Sequence, residues 1–238
     1  METNKKYPRT YHLPFSPGTT SDDRKLSADW FKDYEGKEIM ISEKLDGEAT
    51  AMNIQDVYAR SHGAPTRTDW SLNLWEPNSG LYWRLRSLIG EHEMIYGENL
   101  YGIHSISYDR LPAYWFMYAA NDGERWYGWD EVEEMAKILE VPTVPVLWRG
   151  IAESEKQVTE LIMKFVNEPS VFGPEREGVV MRTVEGFPFE ENGEEAFPHH
   201  VCKWVRPHHV KTDQFWARNW KRAKLIYEIE QEQNKKEK

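Results

Sequence analysis

A lysine followed two residues later by Asp-Gly, in Lys44-Leu45-Asp46-Gly47, joins two apolar runs. Ile39, Met40 and Ile41 read as a buried strand before it. After Gly47 and Glu48, Ala49 to Asn53 read as a returning strand. Asp-Gly between such runs is a strong turn signal, so strands are expected at about 37–43 and 48–53, joined as a hairpin. Lys44 then stands at a strand end, facing a cleft. A lysine there can be desolvated and set beside cations, which lowers its pKa and makes the amine a nucleophile. Taken alone, Lys-x-Asp-Gly is more often a surface lysine beside a hairpin; the residues downstream change that balance.

The 238 residues suffice for one large domain or two small ones. A net charge of −10 excludes a generic polyanion binder, so any nucleic-acid contact has to be a local patch. Aromatic content is 13% with 11 Trp, rings that serve equally as core or as platforms for bases. The single cysteine, Cys202, excludes an internal disulfide and a Cys-based zinc site and fits a reducing cytosol. The start, Met1 to Arg9, is polar and unlike a signal peptide, and no run is long enough to span a bilayer. A cytoplasmic protein is expected.

Residues 7–20 carry too much Pro and Gly for a helix and read as an ordered loop, followed by a helix from Ser21 or Asp22 to about Phe31. Further strands are expected over Val57–Ser61, Met94–Glu98, Tyr114–Ala119, near Val144–Trp148, over Gly178–Arg182 and over Val201–Val205. Helices are expected over Leu81–Ile89, with Leu81, Leu85 and Leu88 on one face, over Asp130–Glu140 and over Glu153–Val166. Residues 64–79 and an acidic stretch at 185–196 read as loops. Asp213 to about Glu232 reads as one exposed helix, with Phe215, Trp216, Trp220 and Ile226 available for packing.

Lys44, Glu98, Glu177 and Lys203 all fall at ends of apolar strands. Each glutamate alone is more often a solvated strand-end residue. Together the four charges can support one another in a cleft and hold a phosphate and a divalent metal.

Glu43-Lys44-Leu45-Asp46-Gly47, then Arg60-Ser61-His62-Gly63, Gly97-Glu98, Phe116-Met117-Tyr118, Glu177-Gly178-Val179-Val180 and Lys203-Trp204-Val205-Arg206 follow in one order. That series resembles the covalent nucleotidyltransferase superfamily of ATP-dependent DNA ligases, RNA ligases and mRNA capping enzymes. The likeness is greatest to RNA ligases of the phage RNA ligase 2 kind, through residues 203–213 and the opening His12-Leu13-Pro14-Phe15-Ser16-Pro17-Gly18. The resemblance implies an α+β, ATP-grasp-like nucleotidyltransferase domain. Its twisted, mainly antiparallel sheets would be flanked by helices, with the nucleotide in the cleft between them and a C-terminal helix. It implies an ATP-dependent RNA ligase using Mg²⁺ or Mn²⁺. Lys44 would attack the α-phosphorus of ATP to form lysyl-AMP, AMP would pass to a 5′-phosphate, and a 3′-hydroxyl would displace it. Asp46 would position the lysine, with Glu43 beside it at the nucleotide. Arg60 would contact the ribose or the terminal nucleotide. Glu98 would hold the ribose or a hydrated metal, Glu177 the metal, and Phe116 or Tyr118 the adenine face. Lys203 would neutralise the α-phosphate and, with the metal, keep Lys44 neutral.

Two departures from that pattern stand out. Val205 takes the place where the family often has a second lysine, leaving Arg206 or Lys211 to substitute. No OB-fold sequence follows the last motif. A minimal catalytic domain over 1–212 with a helical tail over 213–238 is expected. From Lys203 to Lys224 there are seven Lys or Arg and one acid, Asp213, interleaved with Trp204, Phe215, Trp216 and Trp220. Such a stretch suits a nucleic-acid backbone and unstacked bases, with Arg60, Arg206, Lys211, Arg218 and Lys221 as candidate contacts. It suits equally a helix docking its Trp face on the domain. A DNA ligase, a GTP-using capping enzyme and a silent nucleotide-binding module are the competing readings; missing OB-fold sequence weighs against the first two and the intact charged set against the third.

Overall fold

Strand β2 (Glu38–Lys44) has five consecutive buried residues, as expected of a strand covered on both faces. The computed structural model describes residues 6–60, 64–76, 80–189, 196–207 and 220–236. Ile39 and Ile41 of β2 pack on Val158, Ile162 and Phe165, one face of helix α4 (Glu155–Val166). Burying each such side chain contributes about 1.5–3 kcal/mol. The helix starts where Ser154 Oγ accepts the Gln157 N–H at 3.2 Å, an N-cap of the usual kind. Met40 points the other way, into a cluster with Ile95 and Met117 of a second sheet.

Among the described residues two sheets form. The first has the order β1-β11-β9-β2-β8, with β1 (Tyr11–His12), β8 (Val146–Ile151), β9 (Gly178–Thr183) and β11 (Val201–Val205). Only the β1–β11 pair is parallel. The second has the order β10-β7-β6-β5-β3-β4 and is antiparallel throughout. It is built from β3 (Glu48–Met52), β4 (Val57–Ala59), β5 (Met94–Asn99), β6 (Trp115–Asn121), β7 (Arg125–Trp126) and β10 (Phe187–Pro188). With helices α1 (Asp69–Leu74), α2 (Leu81–Leu88), α3 (Trp129–Ile138), α4 and α5 (Ile226–Lys236), this is the α+β, mainly antiparallel arrangement expected.

The expected hairpin at Asp46-Gly47 does not form. β2 and β3 belong to different sheets, and residues 45–47 carry the chain from one to the other. Gly47 is not left-handed, as a two-residue hairpin turn of Asp-Gly type would need. It is small because the chain passes against β5: a Cβ there would meet Asn99 O at 2.4 Å. Asp46 is taken up by the loop beyond β5, its Oδ2 accepting the N–H groups of Ser105 (2.8 Å) and Ile106 (2.7 Å).

Other departures are local. The helix expected from Ser21 or Asp22 is replaced by a turn in which Asp23 Oδ2 accepts both the N–H and the hydroxyl of Thr20. Only Trp30–Asp33 coil, as one 3₁₀ turn. Residues 69–74, read as loop, form α1 because Trp70 and Leu74 share a buried face. Leu88 at the end of α2 is exposed rather than aligned with buried Leu85. Of the helix expected over 213–232, residues 213–219 lie outside the described residues, and the described part is helical from Ile226. Residues 220–225 run extended, with Ala223 N–H donating to Tyr101 O (2.8 Å) and Ile226 N–H to Leu111 O (2.8 Å), while Glu228 accepts the Leu225 N–H and so starts α5. Trp220 rests against Trp70 and Tyr101, the docking alternative for that ring. Ser61, His62, Gly63, His208, His209, Lys211, Asp213, Phe215, Trp216 and Arg218 lie outside the described residues.

The opening segment braces β11. Leu13 N–H donates to Lys203 O (2.8 Å), Gly18 N–H to Val205 O (2.9 Å), and Val205 N–H to Ser16 Oγ (3.0 Å). A methyl on Gly18 would lie 2.2 Å from the Arg206 carbonyl oxygen. Gly18→Ala is expected to cost about 1–3 kcal/mol, as overpacking does, read as a lowered urea midpoint at unchanged slope. In the middle of β11, burial pushes the Cys202 thiol up to about 12. At pH 8 only on the order of one thiol in ten thousand is then thiolate. Ellman's reagent is therefore expected to leave the native protein unmodified at pH 8 and to titrate one thiol in urea.

Candidate active site

The two sheets face each other across a cavity of about 690 Å³. Met40 and Ser42 of β2, Val180 and Arg182 of β9 and Lys203 of β11 line it from one sheet; Ala49, Ala59, Glu98 and Tyr118 line it from the other. Lys44 sits where the chain crosses between them. Its Nζ lies 2.6 Å from Glu177 Oε2, the side chains being 25% and 6% exposed. Lys44 pairs with Gly178 in the β2–β9 register, which sets neighbouring Glu177 beside it. Glu98 comes from β5, its Oε1 accepting the Gly47 N–H at 3.0 Å. Lys44, Glu98 and Lys203 thus line one cavity, with Glu177 held against Lys44 behind its wall; Lys203 stands in the middle of β11 and not at the strand end expected of it.

Burial works to lower the Lys44 amine, yet the charges of Glu177, Glu98 and Asp46 outweigh it and the net shift is upward. The carboxylates around Lys44 therefore favour its ammonium form. Burial, helped by Glu177 and Asp46, pushes the Glu98 carboxyl up to about 8 against the pull of Lys44. Burial, with Lys44 and Arg60 nearby, takes Lys203 down to about 8, while Asp23 and Glu177 oppose that fall.

The remaining candidates divide. Arg60 lines the cavity from the end of β4. Between the pairs Gly97–Met117 and Tyr96–Ala119 the strand β6 carries one extra residue, Tyr118, a bulge. Tyr118 lines the cavity, whereas Phe116 is buried with its ring 5.0 Å from Phe172 and does not. Glu43 reaches the cavity wall, but its carboxylate is occupied: Oε2 accepts the Val171 N–H (2.9 Å) and lies 3.4 Å from Arg176. Arg206 is paired with Glu175 at 2.6 Å, and Lys221 is exposed on the segment beside Ile103.

No group of three or more His, Cys, Asp or Glu is placed to form a protein-only metal cage among the described residues. Glu98 and Glu177, with oxygen donors and a cavity open to phosphates, suit a hard divalent cation that keeps water and takes one or two carboxylates.

The RNA ligase family model matches residues 37–205. The chain belongs to the RNA ligase family. Among solved structures, a mutant of the Naegleria gruberi RNA ligase with ATP and Mn aligns with a TM-score of 0.57 at 16% identity, over 86% of this chain and 60% of that one. Another mutant of the same ligase, with AMP and Mn, aligns with a TM-score of 0.53 at 17% identity over 86% and 60%. An archaeal ATP-dependent RNA ligase aligns with a TM-score of 0.51 at 13% identity, over 82% of this chain and 48% of that one. At these identities the likeness is one of fold, and the chain spans about half to three-fifths of the ligases it matches. No sequence match is found among curated proteins.

This RNA ligase domain also recruits residues that sequence reasoning passed over. His104 lines the cavity from the loop that holds Asp46. Tyr7 is wedged among Tyr96, Tyr118, Trp126 and Phe197 at ring distances of 5.0–5.5 Å. Arg182 donates to the carbonyls of Tyr118 (3.4 Å) and Tyr127 (2.7 Å). None carries a spacing signal, since each is brought in by long-range packing. Arg176 is a further case, donating to Phe165 O and standing against buried Glu43. Arg176→Met is expected to cost about 3–5 kcal/mol by leaving a buried carboxylate without its cation. Adding Glu43→Leu should recover part of that loss, a coupling read from urea unfolding of the two single variants and the double.

Proposed function

We propose that this domain is an ATP-dependent RNA ligase acting through a covalent lysyl-AMP. The reading rests on one observation above all: Lys44 stands at the wall of a nucleotide-sized cavity with Glu98 and Lys203, and Glu177 lies 2.6 Å from its amine. The family and the ATP- and Mn-bound neighbours support it.

Lys44 Nζ, once it has given up a proton, attacks the α-phosphorus of ATP. The bond from that phosphorus to the bridging oxygen breaks, and pyrophosphate leaves with the bond electrons. Lys203 faces the charge that grows on the α-phosphate, the kind of preorganised stabilisation that accelerates displacement most. Glu98 and Glu177 would hold Mg²⁺ or Mn²⁺, which supplies charge neutralisation at the phosphates when bound. Their carboxylates also attract the Lys44 ammonium, so engagement with a cation would free the amine to lose its proton. Tyr118, unpaired at its bulge, offers a ring to the adenine. Asp46, pinned by two backbone N–H groups, fixes the loop on which Lys44 sits. A 5′-phosphate oxygen of an RNA end then takes AMP from Lys44. A 3′-hydroxyl attacks that 5′-phosphorus and AMP departs. Arg60 at the cavity wall, with Arg206 and Lys221 outside it, are candidate strand contacts; Lys211 and Arg218 are proposed with them from sequence alone. Residues 1–212 would be the adenylylation domain and 213–238 its tail, working in the cytoplasm on RNA ends.

Incubation with α-labelled ATP and Mg²⁺ followed by denaturing electrophoresis should give a labelled protein, and Lys44→Ala should give none. Label from GTP alone would point to capping chemistry, and label from neither to a silent module. Tyr118→Ala is expected to raise the KM for ATP about tenfold, the scale of one lost base–aromatic stack. Phe116→Leu should leave that KM unchanged. Nicked duplexes with RNA or DNA on either side of the break test the strand preference.

A further inference from the structure

The family match begins at residue 37, yet the segment before it reaches the cavity. β1 adds a parallel strand beside β11, and the turn that follows brings Asp23 next to Lys203. Asp23 Oδ2 is locked by the Thr20 N–H and hydroxyl, both at 3.0 Å. That leaves Oδ1, 3.6 Å from Lys203 Nζ and 3.4 Å from Nε2 of buried His12. His12 is fixed in turn by Ser16 Oγ, 2.9 Å from its Nδ1, and the same oxygen accepts the Val205 N–H two residues beyond Lys203. The chain of contacts therefore starts and ends on β11.

We propose that Asp23 is a positioning residue for Lys203, aiming its ammonium into the cavity and keeping it charged until a phosphate takes over the pairing. The contact is not needed to hold the segment in place. Backbone bonds from Leu13 to Lys203 and from Gly18 to Val205 already do that, as do those between His12 and the Arg24–Leu26 stretch. What Lys203 lacks is negative charge. Two cations, Lys44 and Arg60, act on it, and Asp23 is the larger of the two opposing anionic influences, ahead of Glu177, which is engaged by Lys44. Asp23 is suited to the task because it stays ionised. Burial opposes this, but the Thr20 bonds, Lys203 and His12 bring its carboxyl down to about 2. The geometry also gives the segment before residue 37, where the family match begins, a part in the site.

The catalytic consequence rests on the adenylylation reading above; the pairing does not. Asp23→Asn keeps an acceptor for Thr20 and removes the charge. It is expected to slow Lys44 adenylylation about twofold at pH 7 and about fivefold at pH 8 while the KM for ATP stays within about twofold, since one pKa unit lost by Lys203 from about 8 takes its charged fraction from about nine-tenths to a half at pH 7 and from a half to about a tenth at pH 8. Asp23→Glu should restore part of the rate. On a Lys203→Ala background, Asp23→Asn should add no further loss. A second readout needs no nucleotide: brief acetic anhydride treatment at pH 7, with sites quantified by mass spectrometry. Lys203 should be modified severalfold faster in Asp23→Asn than in the parent, and exposed Lys32 equally in both. Equal modification of Lys203 in the two proteins would overturn the proposal, whether or not ATP labels the parent. A parent that takes no label while Lys203 still responds to Asp23→Asn would sink the ligase reading alone.

Discussion

A buried ammonium has to be paired, and the architecture of this domain follows from how Lys44 is. Its partner, Glu177, lies at the start of the strand that hydrogen-bonds alongside β2. Glu98 comes from the opposite sheet and is fixed by the N–H of Gly47, three residues beyond the lysine. An unpaired charge in such surroundings would cost several kcal/mol. The strand register, the sheet-to-sheet crossing and the cavity are therefore mutually dependent: a one-residue slip of β9 against β2 would turn every side chain to the wrong face and break the pair.

The crossing at residues 45–47 is what makes a cleft out of two sheets. A hairpin there would have kept β2 and β3 side by side and left Lys44 on a surface. The chain instead passes directly against β5, close enough that only glycine fits at position 47, and Asp46 is consumed by the backbone of the next loop. Residues that look like turn formers locally act as a junction. Charge at the centre is balanced by carboxylates from both sheets, Glu177 beside β9 and Glu98 on β5.

Polar residues at the edge of the site are deployed in the same way. Arg176 neutralises Glu43 beneath the cavity, Arg182 ties β9 to the bulged strand that presents Tyr118, and the N-terminal turn sets a carboxylate beside Lys203. Each lies a long way in sequence from the residue it serves.

Strand and helix positions were largely legible from periodicity: β2, β5, β9, β11, α3 and α4 lie close to where apolar spacing put them, because one buried face repeats every two or every 3.6 residues. Lys44, Glu98, Glu177 and Lys203 were legible as charges on or beside apolar strands in a family order, although Lys203 lies in mid-strand. Helix α1, the non-helical turn at 20–25 and the extended run at 220–225 were not: α1 rests on burial of Trp70 and Leu74, the turn on the bonds from Thr20 to Asp23, and the extended run on backbone bonds to the loop beyond β5. By itself, then, the sequence determined the alternation of apolar strands and the charges that cap them. The tertiary structure alone decided that Asp46-Gly47 joins two sheets instead of closing a hairpin, that Tyr118 and not Phe116 faces the cavity, that Arg182 lines it, and that Asp23 stands beside Lys203 and Arg176 against Glu43. These depend on close backbone approach, a bulge and long-range ion pairing, none of which has a period along the chain.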